Sequence, residues 1–244
     1  MPRNRANRQV CDVDIRSLEK KPVLFFDTAN LTSQEWSADA AYAMAKGSRR
    51  IGFANPIEGT ASIEAQVYPF ELYSLMTGGT IETKAAYPVR KIIKADSAGS
   101  ITLTDENIMT GTVFVYPRGE WGVQEIEGTF SGQKFTATET NVIASGTEYE
   151  VGYIVTKEKG VKKVSINNKN LPKAYYITCN TIEKDEDENI TGLKIILYKA
   201  QPQRNFSLSQ SSEGDPATIT MTFDLMEDKE GNVSDIVEVE DIEE

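Results

Sequence analysis

The chain has 244 residues, of which 39% are apolar and 26% charged, a net charge of −11, and no histidine. This composition suits a folded β-rich domain with a real core. The lack of histidine removes zinc sites, Ser-His-Asp triads and Cys-His dyads, and the acidic field repels nucleic acid in bulk solution. No apolar run is long enough to span a bilayer, and the basic start "MPRNRANRQV" lacks the apolar stretch of a secretory signal. Two cysteines far apart in sequence, Cys11 and Cys179, read as inert thiols in a reducing compartment.

Residues 1–21 read as a polar, basic arm with Arg3, Arg5 and Arg8. "PVLFFD" (22–27) is a short apolar strand, and "TANLTSQEW" (28–36) reads as a polar loop. "ADAAYAMAKGSRRIGF" (38–53) fits either a helix or a strand to about Ala45 followed by a turn. "GTASIEAQVY" (59–68) alternates, with Ala61, Ile63, Ala65 and Val67 on one side and Thr60, Ser62, Glu64 and Gln66 on the other. "PFELYSLMTGG" (69–79) predicts a short helix, started by Pro69 and capped by Gly78 and Gly79.

From 80 to 200 the pattern predicts short strands at 87–94, 100–104, 111–117, 134–138, 147–156, 161–166, 174–182 and 192–199, with a solvated acidic turn at "EKDEDENITG" whose turn residues are Asn189 and Gly192. A further polar strand is expected at 202–212. "DPATITMTFDLMED" (215–228) alternates almost without error. Ala217, Ile219, Met221, Phe223 and Leu225 point one way; Thr218, Thr220, Thr222 and Asp224 point the other. A last strand is expected near Ile236–Val239, then a frayed acidic end.

Candidate chemistry is thin. The acidic turn lacks the ligand spacing of a calcium loop, and "YPRGEWGVQEIEG" lacks the Lys-Ser/Thr ending of a phosphate loop. No cofactor or metal site emerges, and no enzyme is expected. Trp121, in a turn between strands, reads as a lid over core or as an interface anchor, and with Tyr116 it is the one sketch of an aromatic platform for a carbohydrate. "KGSRR" (46–50), the one basic cluster inside the fold, suits an acidic neighbouring subunit better than phosphate. A histidine-free hydrolase using paired carboxylates has nothing in the sequence to support it.

Two segments carry a likeness. "AYAMAKGSRRIGFANPIEGTASIEAQVYPFELYSLMTGG" resembles the front half of bacteriophage tail tube (major tail) proteins. "GLKIILYKAQPQRNFSLSQSSEGDPATITMTFDLMEDKEGNV" resembles their back half. The resemblance implies a mostly β fold: an antiparallel β-sandwich or partial barrel with one short flanking α-helix. Its inner sheet would join a hexameric ring barrel, with rings stacked head to tail. On this reading the domains are an N-terminal arm (1–21), a front half of the tube domain (22–94), an elaborated or inserted segment (95–185), a back half (186–230) and an acidic C-terminal arm (231–244). The lumen would be lined by Thr60, Ser62, Glu64, Gln66, Thr218, Thr220, Thr222 and Asp224. Subunits would meet through Arg3, Arg5, Arg8, Trp36, Lys46, Arg49, Arg50, Glu240 and Asp241. Implied partners are further copies of the chain, the tape-measure protein and DNA in the lumen, and sheath or tail-terminator proteins. The location would be the virion tail, assembled in the host cytoplasm, with no membrane role. The alternatives are a capsid decoration or head–tail connector subunit, or a carbohydrate-binding β-sandwich.

Overall fold

The computed structural model describes residues 4–206 and 216–240. Its elements, in chain order, are β1 (Arg5–Ala6), β2 (Asp12–Ser17), β3 (Pro22–Phe26), β4 (Ala29–Ser37), β5 (Ala40–Ala45), β6 (Ser48–Ala54), β7 (Glu58–Ala65) and α1 (Glu71–Thr77). Then follow β8 (Ala85–Lys94), β9 (Ser100–Thr102), β10 (Phe114–Pro117), β11 (Gly128–Ser131), β12 (Lys134–Ala137) and β13 (Glu148–Lys157). The last are β14 (Tyr175–Asp185), β15 (Ile190–Pro202), β16 (Ile219–Leu225) and β17 (Ser234–Val239). The chain divides into two compact units, Met1–Thr80 with Ser165–Glu244, and Ile81–Val164.

The first unit is built on one antiparallel sheet in the order β3-β2-β14-β15-β16-β7-β4, with β1 added to β14 and β17 to β15. Strands β2, β7, β14 and β16 alternate in burial along their length, so each offers one dry face. Val13, Ile15, Ile177 and Leu197 from one end of the sheet share a single core with Ala61, Ile63, Met221 and Phe223 from the other. The sheet therefore bends over on itself, through the long strand β15, into an open antiparallel sandwich. Helix α1 closes this core with Leu72, Leu75 and Met76. It stops at Gly78, whose φ of 70° is left-handed and whose N–H donates to the Ser74 carbonyl at 2.9 Å. A side chain at Gly78 would also collide with the backbone of Leu171, so this cap requires glycine on two counts.

The second unit has two three-stranded antiparallel sheets, β10-β13-β8 and β11-β12-β9. Ile101, Leu103, Val115, Phe135, Val151 and Tyr153 fill a core of its own. Its two ends meet. Glu82 and Lys163 exchange both backbone hydrogen bonds at 2.9 Å, and their side chains form an ion pair at 2.7 Å.

Several elements differ from the sequence expectation. Residues 38–53, which fitted helix or strand, form β5 and β6. Residues 28–36, expected as a loop, are mostly β4. Within the stretch read as an arm, 12–17 form β2, because Val13 and Ile15 alternate with polar neighbours and are fully buried. Val67, expected on the dry side of β7, lies past the end of that strand and is exposed. No strand forms at 161–166, where Lys163 makes only the bridge to Glu82. Pro202 ends β15, and 203–206 are not strand; the rest of the strand expected at 202–212 lies outside the described residues. The acidic turn does join two strands, β14 and β15, but Gly192 lies inside β15 rather than in the turn.

Phe223 is fully buried where the two ends of the sheet meet. Phe223→Ala is expected to cost about 3–5 kcal/mol. A shift of the urea unfolding midpoint of the first unit, read by near-ultraviolet circular dichroism, measures it.

Candidate functional site

β7 and β16 pair antiparallel in a register that sets Asp224 against Thr60, Thr222 against Ser62, and Thr220 against Glu64. Residues opposite each other share a face. Ala61, Ile63, Ala65, Ile219, Met221, Phe223 and Leu225 therefore all enter the core, while the polar partners lie together on the other side. Ser62 Oγ and Thr222 Oγ1 are 3.3 Å apart, and the Gln66 amide donates to Thr218 Oγ1 at 3.5 Å. The Gln203 amide donates to Asp224 at 2.6 Å. Every side chain expected on the lumen thus falls on one continuous ribbon face. β4 widens it, setting Ser33 beside Ser62 and Glu35 beside Thr60. None of β4, β7 or β16 contains a lysine or arginine. The face carries hydroxyls, amides and carboxylates: acceptors and negative charge, with no cation to grip a phosphate. One end of the ribbon opens into a cleft of about 510 Å³ lined by Glu35, Trp36, Glu58, Gly59, Asp224 and Leu225. Among the described residues no cluster of acids or thiols could hold a metal ion.

Beyond that end, β4 runs on into β5 and β6 returns into β7. Every residue of β5 and β6 is exposed. A two-stranded ribbon of this length reaches roughly 20 Å. Its tip is a tight turn with Lys46 at φ 50° and Gly47 at φ 80°, the left-handed pair that matches strand twist. Ala41 lies opposite Phe53 and Ala43 opposite Ile51 on one face; Tyr42 lies on the other. Tyr42, Met44, Ile51 and Phe53 are 44%, 60%, 57% and 57% exposed. Arg49 stacks on the Tyr42 ring at 4.3 Å. An isolated ribbon with apolar side chains on both faces is marginal in water. At its root Trp36 covers Gly59, where a Cβ would come within 2.6 Å of the indole, and Trp36 keeps 39% of its surface exposed.

The N-terminal segment lies on its own body. β1 pairs with the end of β14, Arg5 meets Glu238 at 2.7 Å, Asn4 donates to Glu186 at 2.9 Å and Asn7 to Thr181 at 2.9 Å. Arg8 and Glu240 are exposed. Arg3 and Asp241 lie outside the described residues. Cys11, just ahead of β2, and Cys179 of β14 read as unrelated thiols in the sequence, yet both are buried and lie within hydrogen-bonding reach of each other. That contact and burial push the Cys179 thiol up.

In the second unit, Tyr116 and Trp121 do meet, 5.0 Å apart and tilted by 58°. Trp121 does not present a bare platform. Arg90 covers its ring at 4.7 Å, and the indole lies against Gly152, where any side chain would collide with it. Arg90 in turn donates through Nε to Glu150 at 3.0 Å, and the Gly119 N–H donates to the same carboxylate at 3.0 Å. The cluster is a self-satisfied brace across β8, β10 and β13. Sugar stacking needs an open aromatic face, and this indole is already in use.

A family model described as the YomU/Tube protein family matches residues 8–239. No curated protein matches the chain. No helix among the described residues is long and apolar enough to cross a membrane.

The Gly119 N–H, then Arg90, holds the Glu150 carboxyl below the usual glutamate range. A carboxylate with a lowered folded value stabilises above its ordinary pKa and loses that contribution as pH falls through the folded one. Glu150→Gln is therefore expected to weaken the second unit at neutral pH and to flatten its loss of stability in acid. Urea midpoints compared at neutral and acid pH test this; parallel pH profiles for both proteins would refute the assignment.

Proposed function

We propose a conduit role that proceeds from one premise: the chain belongs to the YomU/Tube protein family, a phage tail tube family, and is a structural component of a virion tail. In this reading the subunits form hexameric rings, the rings stack head to tail, and the β4-β7-β16 face looks into the bore. The genome passes through it during delivery, and the tape-measure protein occupies it beforehand. The assembly is completed by a terminator and, in a contractile tail, a sheath. No catalysis is needed for any of this.

The observation that carries the reading is the composition of that ribbon. A phosphate backbone sliding along lysines would exchange its counterions for the wall and hold fast. Thr60, Ser62, Gln66, Thr218, Thr220 and Thr222, with Glu64 and Asp224, give it hydrogen-bonding surface for water and a weak repulsion instead. Polar strand faces usually meet only bulk water. What favours a bore here is the absence of cations from three adjacent strands, together with the family. Ring closure would also remove the free strand edges that otherwise invite uncontrolled pairing. Arg5 and Glu238 already pair within one chain, and the same pairing made between copies would tie ring to ring.

Purified protein at high concentration is expected to form hollow tubes of uniform bore in negative-stain images; discrete trimers or persistent monomers overturn the reading. A second test addresses the lining. Thr220→Lys with Thr222→Lys should leave tubes of normal diameter yet lower genome delivery by roughly tenfold or more, with the defect relieved by salt. Undiminished delivery through tubes of the double variant would show that the face lies elsewhere.

A further inference from the structure

Cys11 and Cys179 carry chemistry that the conduit role does not use. Asp12 stands opposite Asn180 and Val13 opposite Cys179. Cys11, buried like Val13 two residues on, therefore shares the inner face with Cys179 and is its diagonal neighbour. Both are free thiols, with their sulfurs in hydrogen-bonding reach. Their access differs. Cys11 keeps 8% of its surface exposed and lines a cleft of about 330 Å³ together with Thr32, Gln34, Thr181, Glu183 and Ile195. Cys179 keeps 4% and takes no part in that lining. The walls are mostly polar, so water and a small solute can reach the Cys11 sulfur.

Two donors converge on that sulfur. One is the Cys179 S–H. The other is the hydroxyl of Thr32, which stands opposite Ile63 on the inner side of β4. They hold the Cys11 thiol below its ordinary value, against the burial that opposes them. The Thr181 hydroxyl adds less, because it donates to the Gln9 carbonyl at 3.0 Å. The contact with Cys11, and then burial, keeps the proton on Cys179. We infer that the two cysteines form a thiol–disulfide exchange site, in which Cys11 attacks a small disulfide entering the cleft and Cys179 resolves the product. Glu183 in the wall restricts the reagent to an uncharged or cationic one. The Cys11 thiolate bonds to one sulfur of the reagent, whose S–S bond breaks, and the other half leaves as a thiolate. Cys179 gives its proton to that thiolate. Its sulfur then displaces the second half from Cys11, and that half takes up the proton Cys11 had released to water. The reagent is reduced to two thiols and the protein gains one internal disulfide. Diagonal neighbours stand farther apart than the roughly 3.8 Å between Cβ atoms that a disulfide requires. Cys11 lies between β1 and β2, outside both strands, so the chain ahead of β2 can close the difference. The bond staples that connection to β14 across most of the sequence, which restricts the unfolded chain. On the virion assignment, a tail leaves a reducing cell for an oxidising exterior, and the staple closes on the finished particle.

The test uses the reduced full chain and hydroxyethyl disulfide under native conditions, read by intact mass and peptide mapping. The wild type is expected to lose two hydrogens through a Cys11–Cys179 bond, with the reagent's adduct appearing first on Cys11. Cys179→Ala is expected to stop at a stable Cys11 adduct, and Cys11→Ala to react roughly tenfold or more slowly than wild type. Oxidised wild type is expected to unfold at higher urea than the reduced protein, and dithiothreitol to cancel the gain. Thiols that react only once urea has unfolded the chain, a wild type that stops at an adduct, covalent dimers in place of the internal bond, or an unchanged urea midpoint each overturn the site. The wild-type masses decide even where a variant fails to fold. None of these outcomes depends on tube formation, so the site and the conduit role stand or fall separately.

Discussion

The antiparallel register between β7 and β16 decides the character of this molecule. Side chains on a strand alternate faces with a period of two, so a slip of one residue would exchange every core residue for a polar one. The observed pairing places Met221 across from Ile63 and Thr222 across from Ser62. The first pair enters a core that also holds residues from the opposite end of the sheet; the second stays outside. Burial of the dry row is what holds the wet row in line. The proposed bore surface is therefore a by-product of hydrophobic packing, and its smoothness toward phosphate is a matter of what selection has left off a face that the core already positions.

The same rows explain which elements are legible in the amino-acid sequence. β7 and β16 are, because their two faces differ in chemistry, and so is α1, because Leu72, Leu75 and Met76 recur at helical spacing ahead of paired glycines. The hairpin β5–β6 is not, because "AAYAMA" places apolar residues on both faces and so carries no period of two. Its alanines and methionine also favour helix in isolation. A strand that is dry on both sides normally lies inside a protein. This one is exposed along its whole length, so its sequence carries neither the alternation of a half-buried strand nor the burial of an inner one. β2 is concealed differently. Only Val13 and Ile15 mark it, inside a segment whose arginines suggest a solvated arm, and its place in the sheet depends on β14, which lies far along the chain.

The candidate site is legible in its composition and not in its geometry. Alternation alone gathers these side chains into two polar rows; that the rows line a lumen is what the likeness to tail tube proteins implies. The lateral pairing that makes them one face, and the addition of Ser33 and Glu35 by β4, depend on long-range contacts. Trp121 shows the reverse case. Sequence alone does not say whether it is a lid or a binding platform. The answer lies in Gly152, whose missing side chain makes room for the indole. It lies also in Arg90, which pairs with Gly152 across the ladder and is held on the ring by Glu150 of that same neighbouring strand. These are packing relations with no local signature.

The backbone bridge between Glu82 and Lys163 has an evolutionary consequence. Because entry and exit of the second unit are clasped side by side, the remainder of the chain meets only the equivalent of a short loop, whatever lies between. Loop-closure entropy grows only slowly with length, so material at this junction can be exchanged, enlarged or lost at small thermodynamic cost to the host sheet. The junction is thus a natural cassette port, through which a lineage could diversify about a third of its protein while the host sheet keeps its register.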